Sequence, residues 1–256
     1  MPAAKWKWFR EQLARGYMTA FDPRTAVPCH WSLAPEDTAG LIFWTKDPWY
    51  LIEDMELLRR YKIVVHMTLT GWTEVEKGAP SMEDGIKLMA RTAKVFGPEN
   101  VVWRFSPVPM VSDALTRFEW IAKRASEFGL QEVYAAFLQE NDFLPESRPP
   151  RVRAELLRLM AAHSHGLKIR LCQEDITSLG SALVLPENLG RGVCEDGHRF
   201  FGRMWVPSEG CGCVLAVDPF TINESCTMGC QYCYAADETL ADRKRNTTKH
   251  HLPVAR

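Results

Sequence analysis

The chain has 256 residues, with 31 Lys and Arg against 32 Asp and Glu, a net charge of −1. That length holds one barrel-sized domain or two small ones, with enough core to fold without staples. The balanced charge gives no global case for nucleic acid or an anionic membrane as partner, and no apolar run is long enough to span a bilayer.

The first eight residues, Met-Pro-Ala-Ala-Lys-Trp-Lys-Trp, carry no signal-peptide core, so a cytoplasmic protein with reduced thiols is expected. Residues 4–15 have Trp6, Phe9 and Leu13 at helical spacing and Gly16 as a stop. A Pro-rich turn leads to a short buried strand at 40–45, ending at Lys46-Asp47-Pro48, and then to a helix at 50–61 with Leu51, Met55 and Leu58 on one face. The next strand covers 62–69 and runs into Thr70-Gly71-Trp72.

The pattern then repeats. Ser81 is placed to cap a helix that runs to Phe96 and stops at Gly97-Pro98. A strand at 101–105 is closed by Ser106-Pro107, and Ser112 opens a helix ending at Gly129. A strand at 132–138, a helix at 151–165 and a strand at 167–172 complete the alternation. Such alternation indicates parallel β/α units, and continuous apolar strands suit burial on both faces. The expected fold is α/β, a partial (β/α) TIM-like barrel over residues 1–178. Residues 179–240 should add an irregular excursion at 180–208, a last strand at 214–218 and a Cys-rich segment of the same domain. Residues 241–256 read as a polar, basic tail.

The Cys-rich segment holds Cys226-x-x-x-Cys230-x-x-Cys233. Three thiolates from one loop are soft ligands of the kind that iron–sulfur clusters, zinc or Cu(I) select. A [4Fe-4S] cluster wants four such ligands, so one iron would be left open; a zinc knuckle, or a redox cluster completed by a fourth cysteine, is the alternative. Gly229 lets the loop bend, and Tyr232 sets an aromatic ring before the last ligand. Cys172, Cys194, Cys211 and Cys213 form a second candidate set, suited to an auxiliary [4Fe-4S] cluster or to structural zinc, or else four unrelated buried thiols. Cys29, beside His30, stands apart.

Parallel α/β folds place their chemistry at the carboxyl ends of the strands. That rim gathers Lys46, Thr68, Thr70, Arg104, Gln139, Glu140, Gln173 and Glu174. Arg104, inside an apolar strand, needs a buried anionic partner: a cofactor or substrate acid, or a structural carboxylate. His66 lies within a strand and reads as a satisfied core histidine. Trp44, Trp72 and Trp103 either shape a dry pocket or are core.

The three-cysteine loop with its Tyr232 resembles the signature of radical S-adenosylmethionine (SAM) enzymes. The resemblance implies that SAM chelates the open iron and that one electron, from a low-potential donor such as ferredoxin or flavodoxin, cleaves it. The product would be a 5′-deoxyadenosyl radical that abstracts hydrogen from a substrate. Lys46, Thr68, Thr70, Gly71, Arg104 and Glu174 are then the candidate SAM-binding residues. In most such barrels the cysteine loop follows the first strand, whereas here it follows the last, a permuted order.

That order is similar to a prokaryotic family of unknown function, domain of unknown function 1848. The likeness rests on Phe43 to Lys46, Thr68 to Gly71, Trp103-Arg104, Cys211 to Cys213 and the three-cysteine loop. Cys172 and Cys194 also match cysteines of its members. Members usually carry a further strand rich in Arg, Thr and Asp ahead of the Pro-Ala that matches Pro2-Ala3. Either the start lies upstream or this barrel lacks one strand. The Gly-Gly-Glu signature of ordinary radical SAM proteins is missing, so the SAM amino group needs another partner. Two further readings stand beside this one. Likeness of Cys233 to Ala235 to photoproduct-lyase-type proteins suggests a lyase repairing damaged nucleic acid. A non-catalytic zinc or iron–sulfur interaction protein is the other.

Overall fold

The computed structural model describes residues 5–22, 25, 27–138, 149–172, 186–201, 213, 214, 216–219 and 226–233. Helix α1 (Trp6–Arg15) buries Trp6, Phe9 and Leu13 and ends at Gly16, whose φ of 84° makes the left-handed cap. The chain then forms an antiparallel hairpin, β1 (Tyr17–Phe21) with β2 (Pro28–Ser32), in register Tyr17 to Ser32. Sequence reading had only a Pro-rich turn there. Both strands are short and largely exposed, so they carry little apolar signal.

The main sheet begins with β3 (Leu41–Thr45). Next come α2 (Trp49–Glu53) and α3 (Met55–Leu58), two short helices where the pattern suggested one; Asp54 separates them. Strand β4 (Ile63–Thr68) is buried along nearly its whole length. Helix α4 (Met82–Phe96) starts as expected at Ser81, whose hydroxyl accepts from the Asp84 amide at 3.1 Å. Strand β5 (Val101–Val108), helix α5 (Ala114–Glu127), strand β6 (Glu132–Phe137), helix α6 (Pro150–Ala162) and strand β7 (Lys168–Leu171) follow the predicted alternation to within a few residues.

Two elements lie inside the stretch that read as irregular: β8 (Leu189–Arg191) and α7 (Gly197–Phe201). Strand β8 is three residues long, too short to show a period. It forms because β7 offers a free edge with which it pairs in parallel, Ile169 opposite Leu189. The expected strand at 214–218 is not formed over 216–218; the Val214 amide instead donates to the Glu195 carbonyl at 3.0 Å. The tail at 241–256 lies outside the described residues.

The fold is therefore mixed α/β. Six parallel strands stand in sequential order from β3 to β8, the order of a barrel wall, and β3 and β8 are its ends among the described residues. One face packs against α4, α5 and α6 through Met67, Met89, Trp103, Phe105, Phe118 and Leu157. Helix α1 and the hairpin bring Trp6, Phe9 and Met18 against Phe43, Leu51 and Val65. The opposite face is apolar too, with Val64, Val102 and Tyr134, but it also carries His66, Arg104, Cys194 and Cys213. Helices could cover the first face with hydrocarbon alone. The second face is where buried polar groups collect.

Candidate functional site

The segment that leaves β4 turns at once. Thr70 Oγ1 accepts from the Trp72 amide at 3.1 Å, and Gly71 takes φ 69°. The Gly71 carbonyl accepts from Arg117 Nη1 of α5, and Arg117 is itself held by Glu74 at 2.7 Å and Asp113 at 2.8 Å. The result is a braced platform over residues 70–78 at the carboxyl end of the sheet.

The three-cysteine loop docks on this platform. Gly78 donates its amide to the Met228 carbonyl at 2.8 Å, and Gln231 donates to the Val75 carbonyl at 2.9 Å. Cys230 faces Glu76 in an antiparallel bridge. The approach is close: a Cβ on Gly78 would run into the Thr227 carbonyl oxygen, and Gly229 bends the loop with φ 57°. Inside the loop the Cys233 amide donates to the Cys230 carbonyl at 2.9 Å.

Side chains clamp the same contact. Glu76 is 4 % exposed, and its Oε1 lies 2.8 Å from Lys46 Nζ, just past the end of β3. The pair is an ion pair by distance, although the ammonium makes no directional hydrogen bond to the described residues. The Tyr232 hydroxyl donates to the same carboxylate oxygen, and the Tyr232 ring stacks on Trp72 at 5.9 Å. Burial raises the Tyr232 hydroxyl well above its ordinary range, with Glu76 acting the same way, so it stays a proton donor. Burial also pushes the Cys230 thiol up to about 11, while Lys46 pulls it down. Cys230 is buried, Cys233 half-buried and Cys226 exposed.

The second cysteine set gathers on the buried polar face. Cys172 directly follows β7, Cys194 follows β8, and Cys213 packs beside them. The Cys194 thiol lies 3.1 Å from Cys172 Sγ, and Arg104 Nη1 donates to Cys194 Sγ at 3.2 Å. Cys172 is held down at about 6, chiefly because the Cys194 thiol donates to it and further because Arg104 is near. Burial works against the Arg104 charge, but the sulfurs of Cys194 and Cys172 outweigh it and hold the guanidinium charged. Arg104 also lies over the Trp44 ring at 4.8 Å. The His66 ring packs between Trp44 and Tyr134 at 5.8 and 5.7 Å and hydrogen-bonds the Cys194 backbone. Burial, with Arg104 and Arg199 nearby, keeps it neutral, and its buried Nδ1 has no hydrogen-bond partner among the described residues. Glu195 is raised to about 7 by burial and then by Cys213.

The expected site residues therefore divide. Lys46 belongs to the three-cysteine loop, and Thr70 and Gly71 shape the platform beneath it. Thr68 is half-buried at the end of β4, opposite Arg104 in register. Arg104 sits with the second cysteine set, not with Lys46. Glu174, Gln139, Glu140, Gln173 and Cys211 lie outside the described residues. Cys29 is half-buried on the hairpin, opposite Ala20. Trp103 is core, its indole donating to the Leu69 carbonyl at 2.9 Å. His66 is a core histidine, as expected, but one ring nitrogen departs from the expected satisfaction.

Sequence reasoning missed Glu76 and Tyr134. Glu76 left one signal, an acidic residue four positions past Trp72 in the segment leaving a strand, and that signal is weak by itself. Among the described residues, no group of three or more His, Cys, Asp or Glu side chains is disposed to hold a metal ion. No described helix is long and apolar enough to cross a membrane.

No curated protein matches the chain. The family model described as Domain of unknown function (DUF1848) matches residues 1–235, a span that takes in the sheet, the platform and both cysteine sets, and the chain belongs to that family.

Proposed function

We propose that the protein is a radical SAM enzyme in which Cys226, Cys230 and Cys233 hold a [4Fe-4S] cluster and SAM takes the iron without a cysteine. The observation that carries this reading is the seating of the three-cysteine loop on the platform after β4, at the carboxyl end of a parallel sheet. The sequential strand order supports a partial barrel with the loop at its mouth. Such an arrangement would let a loop late in sequence serve where ordinary members of the class use an early one.

The fit rests on donor chemistry and docking, since the thiols are not pre-gathered around a centre. Three soft ligands lie within eight residues, and the loop is fixed at Met228, Cys230, Gln231 and Tyr232. A cluster held by Cys226, Cys230 and Cys233 would supply the one-electron reduction by which SAM yields methionine and a hydrogen-abstracting adenosyl radical.

The protein's own residues hold and shield. Glu76 anchors the loop through Tyr232 and is anchored in turn by Lys46. Trp72 and Tyr232 form a stacked, apolar floor that keeps water from beneath the ligands. Thr68 and Gly71, both half-buried, line the rim beside it, where SAM would lie, and buried Thr70 shapes the turn beneath them. Exposed Cys226 marks the loop edge nearest solvent, the side from which ferredoxin or flavodoxin would deliver electrons.

The test is anaerobic reconstitution, counting iron, sulfide and zinc, followed by dithionite, SAM and an assay for 5′-deoxyadenosine. The reading expects about four irons per chain at this loop and deoxyadenosine formation. Both are lost in Cys230→Ala. A zinc protein that makes no deoxyadenosine, or a Cys230→Ala variant that still cleaves SAM, would overturn it.

A further inference from the structure

We infer that Cys172, Cys194 and Cys213 form a second, separate site for a thiophilic metal centre, with Arg104 as the cation that balances its thiolates. This goes beyond the radical SAM reading and does not depend on it.

The argument starts from Arg104. A guanidinium 8 % exposed in the middle of β5 must be compensated by negative charge. Among the described residues no carboxylate pairs with it. Within the same residues it meets Cys194 Sγ at 3.2 Å, the Cys172 sulfur and the face of Trp44. Among the described residues, the groups that touch the guanidinium with negative charge to offer are sulfurs, while the Glu195 carboxylate acts on it only from farther off. Three thiols drawn from residues 172, 194 and 213 meet in one apolar pocket with Val64, Val102 and Tyr134. Deprotonating more than one of them there would be repulsive unless a cation sat between them. A metal ion removes that repulsion, and a metal–thiolate centre with net negative charge lets all three sulfurs ionise while still balancing Arg104.

A second observation points the same way. His66 is 1 % exposed, bonds the Cys194 backbone, and has an Nδ1 without a partner among the described residues. Buried polar atoms are nearly always satisfied, so an orphan at this place marks a group still to be supplied.

Geometry sets what must change. With metal–sulfur bonds of about 2.3 Å, the edge of a tetrahedral thiolate site is about 3.8 Å. The Cys172 and Cys194 sulfurs are 3.1 Å apart, a thiol hydrogen bond rather than a metal-holding arrangement. Opening that contact by about 0.7 Å turns it into such an edge. Cys172 and Cys194 stand just past the ends of adjacent parallel strands, and side-chain rotation alone covers that shift.

The test uses the full chain with Cys226, Cys230 and Cys233 all changed to Ser, so that the loop contributes no ligand and the outcome is independent of SAM chemistry. The reduced apo protein is titrated with Co²⁺ and read by cobalt–thiolate charge-transfer absorbance, with Zn²⁺ as competitor. The expectation is about one tight cobalt per chain, displaced by zinc. Cys194→Ser should abolish the band. Arg104→Gln should weaken binding about 10–100-fold, and Arg104→Lys should recover part of that loss. If Cys194→Ser fails to fold, alkylation mapping replaces it: bound zinc should protect Cys172, Cys194 and Cys213 against iodoacetamide. Absence of the band in folded protein, equal binding by folded Cys194→Ser, or a Cys172–Cys194 disulfide in protein kept anaerobic would overturn the proposal.

Discussion

Glu76→Ala tests whether the three-cysteine loop is held by a buried clamp. The carboxylate is 4 % exposed and takes both the Lys46 ammonium and the Tyr232 hydroxyl on one oxygen. Its removal strands an ammonium on a side chain only 12 % exposed. Deleting one partner of a buried ion pair costs about 3–5 kcal/mol. The half-buried Tyr232 hydroxyl loses its Glu76 acceptor but keeps Cys230 within reach, which adds about 1 kcal/mol. The Lys46 stem can swing its charge toward water and recover part of this, so the expected loss is about 3–4 kcal/mol. Tyr232→Phe removes only the hydroxyl and should cost about 1 kcal/mol. Lys46→Met combined with Glu76→Leu leaves no buried charge and should be more stable than Glu76→Ala alone. The assay is urea unfolding of the apo chain with linear extrapolation, because bound metal would add its own linkage. A Glu76→Ala variant within about 1 kcal/mol of the parent, or a double variant less stable than Glu76→Ala, would refute the clamp.

Three further outcomes can be checked together. Gly78→Ala places a methyl against the Thr227 carbonyl, a backbone atom that cannot turn away; the loop should undock and reconstituted iron per chain should fall, and an unchanged iron count would refute the close approach. Phe118→Ala removes a fully buried ring that stacks on Trp103 at 5.3 Å and meets Phe105 edge-on at 5.4 Å. It should cost about 3–5 kcal/mol by urea unfolding, and a loss under about 1 kcal/mol would mean that the α5 face is not core. The hydrogen bond from Arg117 holds the Glu74 carboxyl down at about 2, from an ordinary 4.5. A carboxyl with a depressed folded value stabilises above about pH 4.5, and that contribution is lost as pH falls toward about 2. Glu74 is 57 % exposed, so solvent screening limits the effect to less than about 1 kcal/mol. Glu74→Gln should flatten the stability profile across that window, and identical profiles would refute the pairing.

Much of the fold was legible because its signals are local. Helical spacing of Phe9 and Leu13 or of Phe118 and Ala122, the Ser81 cap and the stops at Gly16 and Gly129 are all written within a turn or two of the elements they define. The largely apolar run at β4, broken only by His66 before Thr68, announced a strand buried on both faces. The three-cysteine spacing marked the candidate centre for the same reason, since all its ligands share one loop. Elements too short to complete a period escaped: the exposed hairpin β1–β2, the three residues of β8, and the break at Asp54.

The sequence by itself determined the strand–helix alternation, and with it the parallel sheet and the rim where chemistry could sit. It also determined which residue types were available for soft-metal ligation. Only the tertiary structure decided their partners. Arg104 meets Cys194 across 90 residues of chain, and Tyr232 meets Glu76 across 156. Such pairs leave no periodic or turn signature, because nothing local distinguishes a glutamate that will be buried under a distant loop from one that will be solvated. The desolvation that makes Glu76 and Arg104 matter arises only when strands, platform and cysteine loops close on one another, and that is a property of the packed chain.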